Sequence, residues 1–253
     1  MIIKSIDEVR QQVALWKQAG QRVALVPTMG HLHAGHLSLI EAVDEPDTRV
    51  VVSIFVNPMQ FGENEDFGSY PRTFDEDIAK LSKYNVDVVF APDTADIYPD
   101  KLEETTIVDV LKFSKIVEGE CRPQFFSGVA TVVNKLFNIV QPDVAAFGEK
   151  DFQQLLVVRQ MVSDLAMPVE ILSVATKREV DGLAMSSRNN YLNSSDREKS
   201  CLLSKTLLLY RQQIEQGLSV KQVEENAGAL KFVPLSESQM REIKAILKKD
   251  LVH

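Results

Sequence analysis

The stretch from Arg22 to Ile40, RVALVPTMGHLHAGHLSLI, limits most severely what this chain can fold into. It passes without interruption from an apolar strand through a glycine-containing loop into a helix. Val23, Ala24, Leu25 and Val26 form the unbroken apolar run of a strand buried on both faces, and Pro27 is expected to end it. Helical spacing, Leu37 then Ile40, takes over at the other side of the loop. Three of the chain's four histidines, His31, His33 and His36, fall within six positions between the two elements. A helix that starts there directs unpaired backbone N–H groups and the positive end of its dipole at the loop, which favours an anion. Gly35 beside His36 lets a bulky ligand approach the backbone, and imidazoles can donate to charge growing on a phosphoryl oxygen. The grouping suits phosphate chemistry better than a set of solvated loop histidines. Zinc is disfavoured, because no Cys, Asp or Glu lies near enough in sequence to complete a ligand set.

The rest of the first 175 residues repeats the alternation. Ser5-Ile6-Asp7-Glu8 has capping-box form and opens a helix running to Gly20. Arg49 to Val56 reads as a second buried strand, ending at two neutral amides, Asn57 and Gln60. Gly62 to Ser69 is a polar loop, and Thr73 to Glu76 resembles another capping box ahead of a helix through Leu81. Val86 to Phe90 gives a third strand, Thr105 to Val110 a short one, and Val144 to Phe147 and Val169 to Ala175 two more. Helices are expected at Val129 to Val140 and Phe152 to Leu165. Strands alternating with helices assemble as a parallel, doubly wound α/β sheet, whose ligands bind at the carboxyl ends of the strands. Beyond a boundary near Thr176 the pattern becomes helical, with starts marked by Ser195-x-x-Glu198, Ser219-x-x-Gln222 and Ser236-x-x-Gln239. Domains of 1–175 and 176–253 are therefore expected, the second smaller and mainly helical.

Composition narrows the functional classes. A length of 253 residues supports one large or two modest cores, and a net charge of −8 argues against nucleic acid as the main ligand. No run of 18 apolar residues and no basic-then-apolar leader is present, so neither a membrane span nor export is expected and a cytoplasmic location is. Cys121 and Cys201 stand alone, without disulfide or zinc spacing.

Two further segments carry chemistry. Gly148-Glu149-Lys150-Asp151 repeats the strand, turn and helix start, now with an ammonium group that can neutralise phosphate. Asp181 to Asn190, DGLAMSSRNN, sets two hydroxyls beside a guanidinium, suited to folding over a triphosphate. Taken together, HLHAGH after PTMG and MSSR in the manner of a KMSKS loop resemble the nucleotidyltransferase superfamily that includes class I aminoacyl-tRNA synthetases. The wording PTMGHLHAGH, VVSIFVNPMQF, YPRT, FGEKDFQQL and DGLAMSSRN is similar to the pantothenate synthetase family, over residues 22 to about 195.

That resemblance implies a Rossmann-like, HUP-type first domain and an ATP-dependent condensation of pantoate with β-alanine through a pantoyl adenylate. ATP would lie over Met29, Gly30, His33, Gly35 and His36, with His36 as proton donor. Gly148, Lys150 and Asp151 would hold ribose and phosphates, Lys177 would offer its backbone to adenine, and Met185, Ser186, Ser187 and Arg188 would grip the phosphates. His33, His36, Lys150, Ser186, Ser187 and Arg188 would thus form the catalytic set. Asn57, Gln60 and Gln154 would bind pantoate, magnesium would ride on the phosphates with Glu76 and Asp77 at an acidic position linked to it, and the enzyme would be a homodimer. Two features depart from the family pattern. The usual RPxHFRGV reads Arg122-Pro123-Gln124-Phe125-Phe126-Ser127-Gly128-Val129, with Phe125 for His and Ser127 for Arg, and the closing strands of the second domain are not recognisable. Competing readings are a nucleotidyltransferase adenylylating a phosphorylated small molecule, and a nucleotide sensor without turnover. Neutral amides at 57, 60 and 154 favour a hydroxy acid over the first.

Overall fold

The computed structural model describes residues 1–62 and 65–229. The chain divides into two compact units, Met1–Lys177 and Arg178–His253. In the first, six parallel strands form one sheet in the order β1-β4-β3-β2-β5-β6, where β1 is Ile2–Ile3, β2 Arg22–Thr28, β3 Thr48–Ile54, β4 Val88–Phe90, β5 Val144–Gly148 and β6 Glu170–Val174. Both faces are dry. Alternate residues of the central strands supply them: Val23, Leu25, Val51 and Ala145 join one cluster, Ala24, Val26, Val50, Val52 and Ala146 the other. Helices α1 (Ile6–Gln18), α7 (Phe125–Val140) and α8 (Phe152–Asp164) cover the first face, α2 (Ala34–Val43) and α3 (Phe74–Leu81) the second. This double cover explains why the strands read as continuous apolar runs instead of alternating ones.

Several local expectations are corrected. Pro27 lies inside β2. Asp143 N–H donates to Val23 O, so odd residues of β2 face β5, and Phe55 N–H donates to Thr28 O, so even ones face β3. Pro27 therefore turns its missing N–H toward β5, beyond the last registered pair, Leu25 with Ala145, where no ladder bond is lost. Thr105–Val110 is not a strand; Val108 N–H donates instead to Thr131 Oγ1 on α7. Helix α7 starts at Phe125, one turn ahead of the expected start at Val129. Single turns α4 (Thr94–Ile97), α5 (Leu111–Ser114) and α6 (Glu118–Cys121) punctuate the long β4 to β5 crossover. The Thr73 box does not form, because the Thr73 hydroxyl donates to Asp77 Oδ2.

The second unit holds α9 (Ser194–Glu215) and α10 (Val220–Ala229), packed through Leu207, Tyr210 and Val223. Asn193, not Ser195, caps α9 by accepting from Asp196 N–H. Ser219 and Gln222 form the expected reciprocal cap of α10. The start expected at Ser236 lies outside the described residues.

Candidate active site

The strand order reverses between β2 and β5, so a crevice opens at their carboxyl ends, where the loop after β2 and the turn after β5 meet the first turns of α2 and α8. His33 is the N-cap of α2. Its Nδ1 accepts from Gly35 N–H at 3.1 Å, and its own N–H donates to His36 Nδ1 at 3.3 Å. The rings lie 4.0 Å apart between centroids. A backbone N–H can only donate, so both rings must be unprotonated at Nδ1 and carry their proton on Nε2. Burial, and after it the charge of Lys150, pushes His33 down to about 4. Burial, and after it His33, pushes His36 down to about 3. Both imidazoles are neutral near pH 7, each with a single Nε2–H donor.

A carboxylate 46 residues downstream shapes the turn that precedes them. Asp77, wholly buried on α3, accepts from His31 N–H and Leu32 N–H, both at 2.7 Å. Lys80 sits 3.6 Å from Asp77 and donates to Leu32 O. Gly30 has φ +81, and a Cβ there would lie 3.2 Å from Asp77 Oδ2, so the close approach requires glycine. Asp77 thus holds the loop with both carboxylate oxygens, and Glu76 is exposed on α3. Among the described residues no group of three His, Cys, Asp or Glu converges to hold a cation. The donor set does not fit a protein-built magnesium site.

Met29 and Gly30 line a cavity of about 290 Å³ with Ile54, Phe55, Arg72 and Asp93 at the same edge of the sheet. Gly148 ends β5, and Lys150 and Asp151 follow it in a turn where Lys150 Nζ lies 3.1 Å from Asp151. Their charges act on both imidazoles in opposite senses, Lys150 lowering and Asp151 raising the pKa, which places this turn beside α2.

Asn57 and Gln60 follow β3 on a 3-10 turn, Pro58–Gln60. Asn57 is 1% exposed, and all its polar capacity is used: Oδ1 accepts from Tyr98 O–H and Met59 N–H, and Nδ2 donates to Gly128 O and Gln60 Oε1. Of the adjacent glutamines on α8, Gln153 is buried, donating to Phe113 O and Ile116 O and accepting from Glu118 N–H. Gln154 is half-buried, and its side chain makes no hydrogen bond among the described residues. Tyr98 and Lys80 carried no signal in the sequence, whereas Gly128 and Gln153 lie inside wording shared with the family without being singled out there as site residues. Phe125, in place of the family's His, stacks on Arg122 at 3.7 Å, and Arg122 also pairs with Glu65 and Glu118.

Lys177, exposed, ends the first unit. Met185, Ser186, Ser187 and Arg188 belong to the second, where Ser186 caps the 3-10 turn Ser187–Tyr191 by accepting from Arg188 N–H. Arg197 of α9 pairs with Glu179 and Asp181 across the base of this loop.

A doubly wound parallel sheet whose central strand runs into a histidine-capped helix is the architecture of a nucleotide-binding protein of the HxGH class. The family model described as pantoate-beta-alanine ligase matches residues 1–251, and the chain belongs to that family. It is 55% identical over 216 residues to the pantothenate synthetase of Aliivibrio fischeri, covering 85% of this chain and 74% of that one. It is 49% identical over 232 residues to that of Nitrosococcus oceani, covering 92% and 81%. The crystal structure of pantothenate synthetase from Thermus thermophilus superposes with a TM-score of 0.81 at 45% identity, covering 91% of this chain and 83% of that one. That of the Francisella tularensis pantoate-beta-alanine ligase, complexed with beta-gamma ATP and beta-alanine, superposes with 0.74 at 38% identity, covering 81% and 78%. No helix of the described residues is long and apolar enough to cross a membrane.

Proposed function

We propose that this protein joins pantoate to β-alanine at the expense of ATP, through a pantoyl adenylate, releasing pyrophosphate and then AMP. The observation that carries the reading is the locked pair His33 and His36, two neutral Nε2–H donors at a helix N-terminus that Lys150 flanks. Pantoate's carboxylate attacks the α-phosphorus and the bond to pyrophosphate breaks. Charge grows on the α-phosphoryl oxygens as this happens, and preorganised donors stabilise it without rearranging. Because His36 is neutral near pH 7, its part is hydrogen-bond donation rather than the proton donation that the family resemblance implies. Pyrophosphate leaves as an anion and needs no proton at that moment. The β-alanine amine then attacks the mixed anhydride, forming the amide and expelling AMP.

Gln60 and Gln154 suit the hydroxy acid, since carboxamides hydrogen-bond a carboxylate without adding a charge that would blunt its attack. Met29, Gly30 and Gly35 leave room for the nucleotide, Gly148, Lys150 and Asp151 serve its ribose and phosphates, and Lys177 offers backbone to adenine. Met185, Ser186, Ser187 and Arg188 close over the triphosphate and protect the adenylate from water. Magnesium enters with ATP, bound to its phosphates. The protein acts in the cytoplasm, as a homodimer that light scattering after size exclusion would detect. The deciding assay supplies ATP and pantoate with and without β-alanine and follows pyrophosphate and AMP separately. Pyrophosphate exchange without β-alanine, lost in His36→Ala, supports the scheme; AMP formation independent of pantoate refutes it.

A further inference from the structure

The polar atoms around Asn57 fix more than its own position. Main-chain Met59 N–H can only give a proton and Gly128 O can only accept one, so the orientation of the Asn57 carboxamide between them is unambiguous. Its Oδ1 takes the Tyr98 O–H at 2.8 Å, and the second hydrogen on Nδ2 goes to Gln60 Oε1 at 2.9 Å. Gln60 is thereby turned so that its oxygen is engaged inward, and its Nε2 has no partner among the described residues. What Gln60 offers a ligand is a pair of N–H donors.

We infer that Tyr98 is a positioning residue for the hydroxy acid, acting through Asn57 to hold Gln60 with its donors toward the substrate's oxygens. Tyr98 is 3% exposed and is itself anchored: the Lys135 ammonium lies 5.2 Å above its ring and donates to the neighbouring Ile97 O. Burial raises the phenol's pKa, so the hydroxyl keeps its proton and remains a donor at any working pH. Asn57, with both donors and both acceptor positions filled inside the protein, is then a link in the relay in place of the direct pantoate contact that the family resemblance implies. The inference rests on pantoate being the substrate and adds which group of Gln60 meets it.

Two variants of the full chain test this. Tyr98→Phe removes one hydroxyl and keeps the ring; its KM for pantoate should rise about 5- to 20-fold, as expected for one lost hydrogen bond, with KM for ATP within about twofold. Asn57→Asp cannot donate to Gln60 Oε1, so the Gln60 amide should reverse and present its oxygen. That variant should weaken pantoate binding and also shift the preference toward pantoamide as a competitive inhibitor, by about tenfold relative to the unaltered protein. A purely structural defect would not invert that preference. An unchanged pantoate KM in Tyr98→Phe, equal rises in both KM values, or an unchanged carboxylate-to-amide preference in Asn57→Asp would overturn the relay. Absence of pantoate-dependent pyrophosphate exchange in the unaltered protein would instead overturn the functional reading beneath it.

Discussion

Replacing Gly128 by alanine should damage both the fold and the site by a predictable amount. Helix α7 passes so close to the turn after β3 that a Cβ on Gly128 would lie 2.2 Å from Met59 O, 2.6 Å from Met59 C and 3.1 Å from Gln60 N. Carbon and oxygen ordinarily approach to about 3.3 Å, so helix and turn must separate by roughly 1 Å. The bond from Asn57 Nδ2 to Gly128 O, 3.1 Å in the native protein, then stretches beyond hydrogen-bonding range. Overpacking of this kind costs about 1–3 kcal/mol, and a buried amide hydrogen left without its partner about 1 kcal/mol more, for a total of about 2–4 kcal/mol. Urea unfolding followed by the fluorescence of Trp16, the single tryptophan, reports on the unit that contains the clash. Since the same shift loosens Gln60, KM for pantoate should rise by about tenfold, a loss of about 1.4 kcal/mol of binding. Gly20→Ala makes a control: φ is +73 there but nothing lies within 4 Å of the added Cβ, so about 1 kcal/mol of stability should go with no kinetic change. A Gly128→Ala protein within about 0.5 kcal/mol of the native one, with its pantoate KM intact, would refute the claim that this contact sets the geometry of the turn.

Other expectations follow from the nucleotide turn. His33 and His36 titrate at about 4 and about 3, against about 6.5 when unfolded, so the unfolded chain binds more protons between those values. Stability is untouched by them above about pH 6.5, falls as the pH drops from there toward 4 and 3, and loses no more below; comparing His33→Asn, which retains a capping side chain, with the native protein in urea at pH 7 and pH 5 should show a smaller loss in the variant. For the same reason kcat/KM for ATP, measured with magnesium in excess so that the terminal phosphate stays ionised, should show no histidine limb near pH 6.5, and an inflection there would refute the assigned protonation state. Asp77→Asn leaves one oxygen for two N–H groups and should cost about 1–3 kcal/mol. Its magnesium requirement should not move, whereas a tenfold rise in the magnesium needed for half-maximal rate, with stability unchanged, would restore a metal role. Arg188→Ala should lower kcat by about 10²- to 10³-fold if its guanidinium meets the phosphates during transfer, and a kcat within threefold would remove it from the catalytic set.

The sheet was legible because a strand covered on both faces must be apolar throughout, and runs such as Val23 to Val26 and Val50 to Val52 show this in the letters alone. The histidine pair was legible for a similar reason: spacing of three residues at a helix start is a local property. Legibility failed where a side chain reaches distant backbone. Nothing near Asp77 indicates that it holds residues 31 and 32, and an acidic residue on a helix reads equally well as a metal ligand. Gln153 and Gln154 are the same letter twice, and only the packing of α8 against α5 and α6 decides which is internal. Thr105 to Val110 has strand composition, but β1 already fills the place beside β4 and Val108 N–H is spent on Thr131 Oγ1. Such pairings are settled by the whole topology.

The grip of Asp77 on the loop after β2 also bears on how the protein is made. During synthesis the segment PTMGHLHAGH leaves the ribosome some forty residues ahead of the carboxylate that gives it shape, so the proposed nucleotide pocket should not form until α3 has emerged and docked. A fragment ending at residue 60 would carry every letter of the signature and should be blind to ATP.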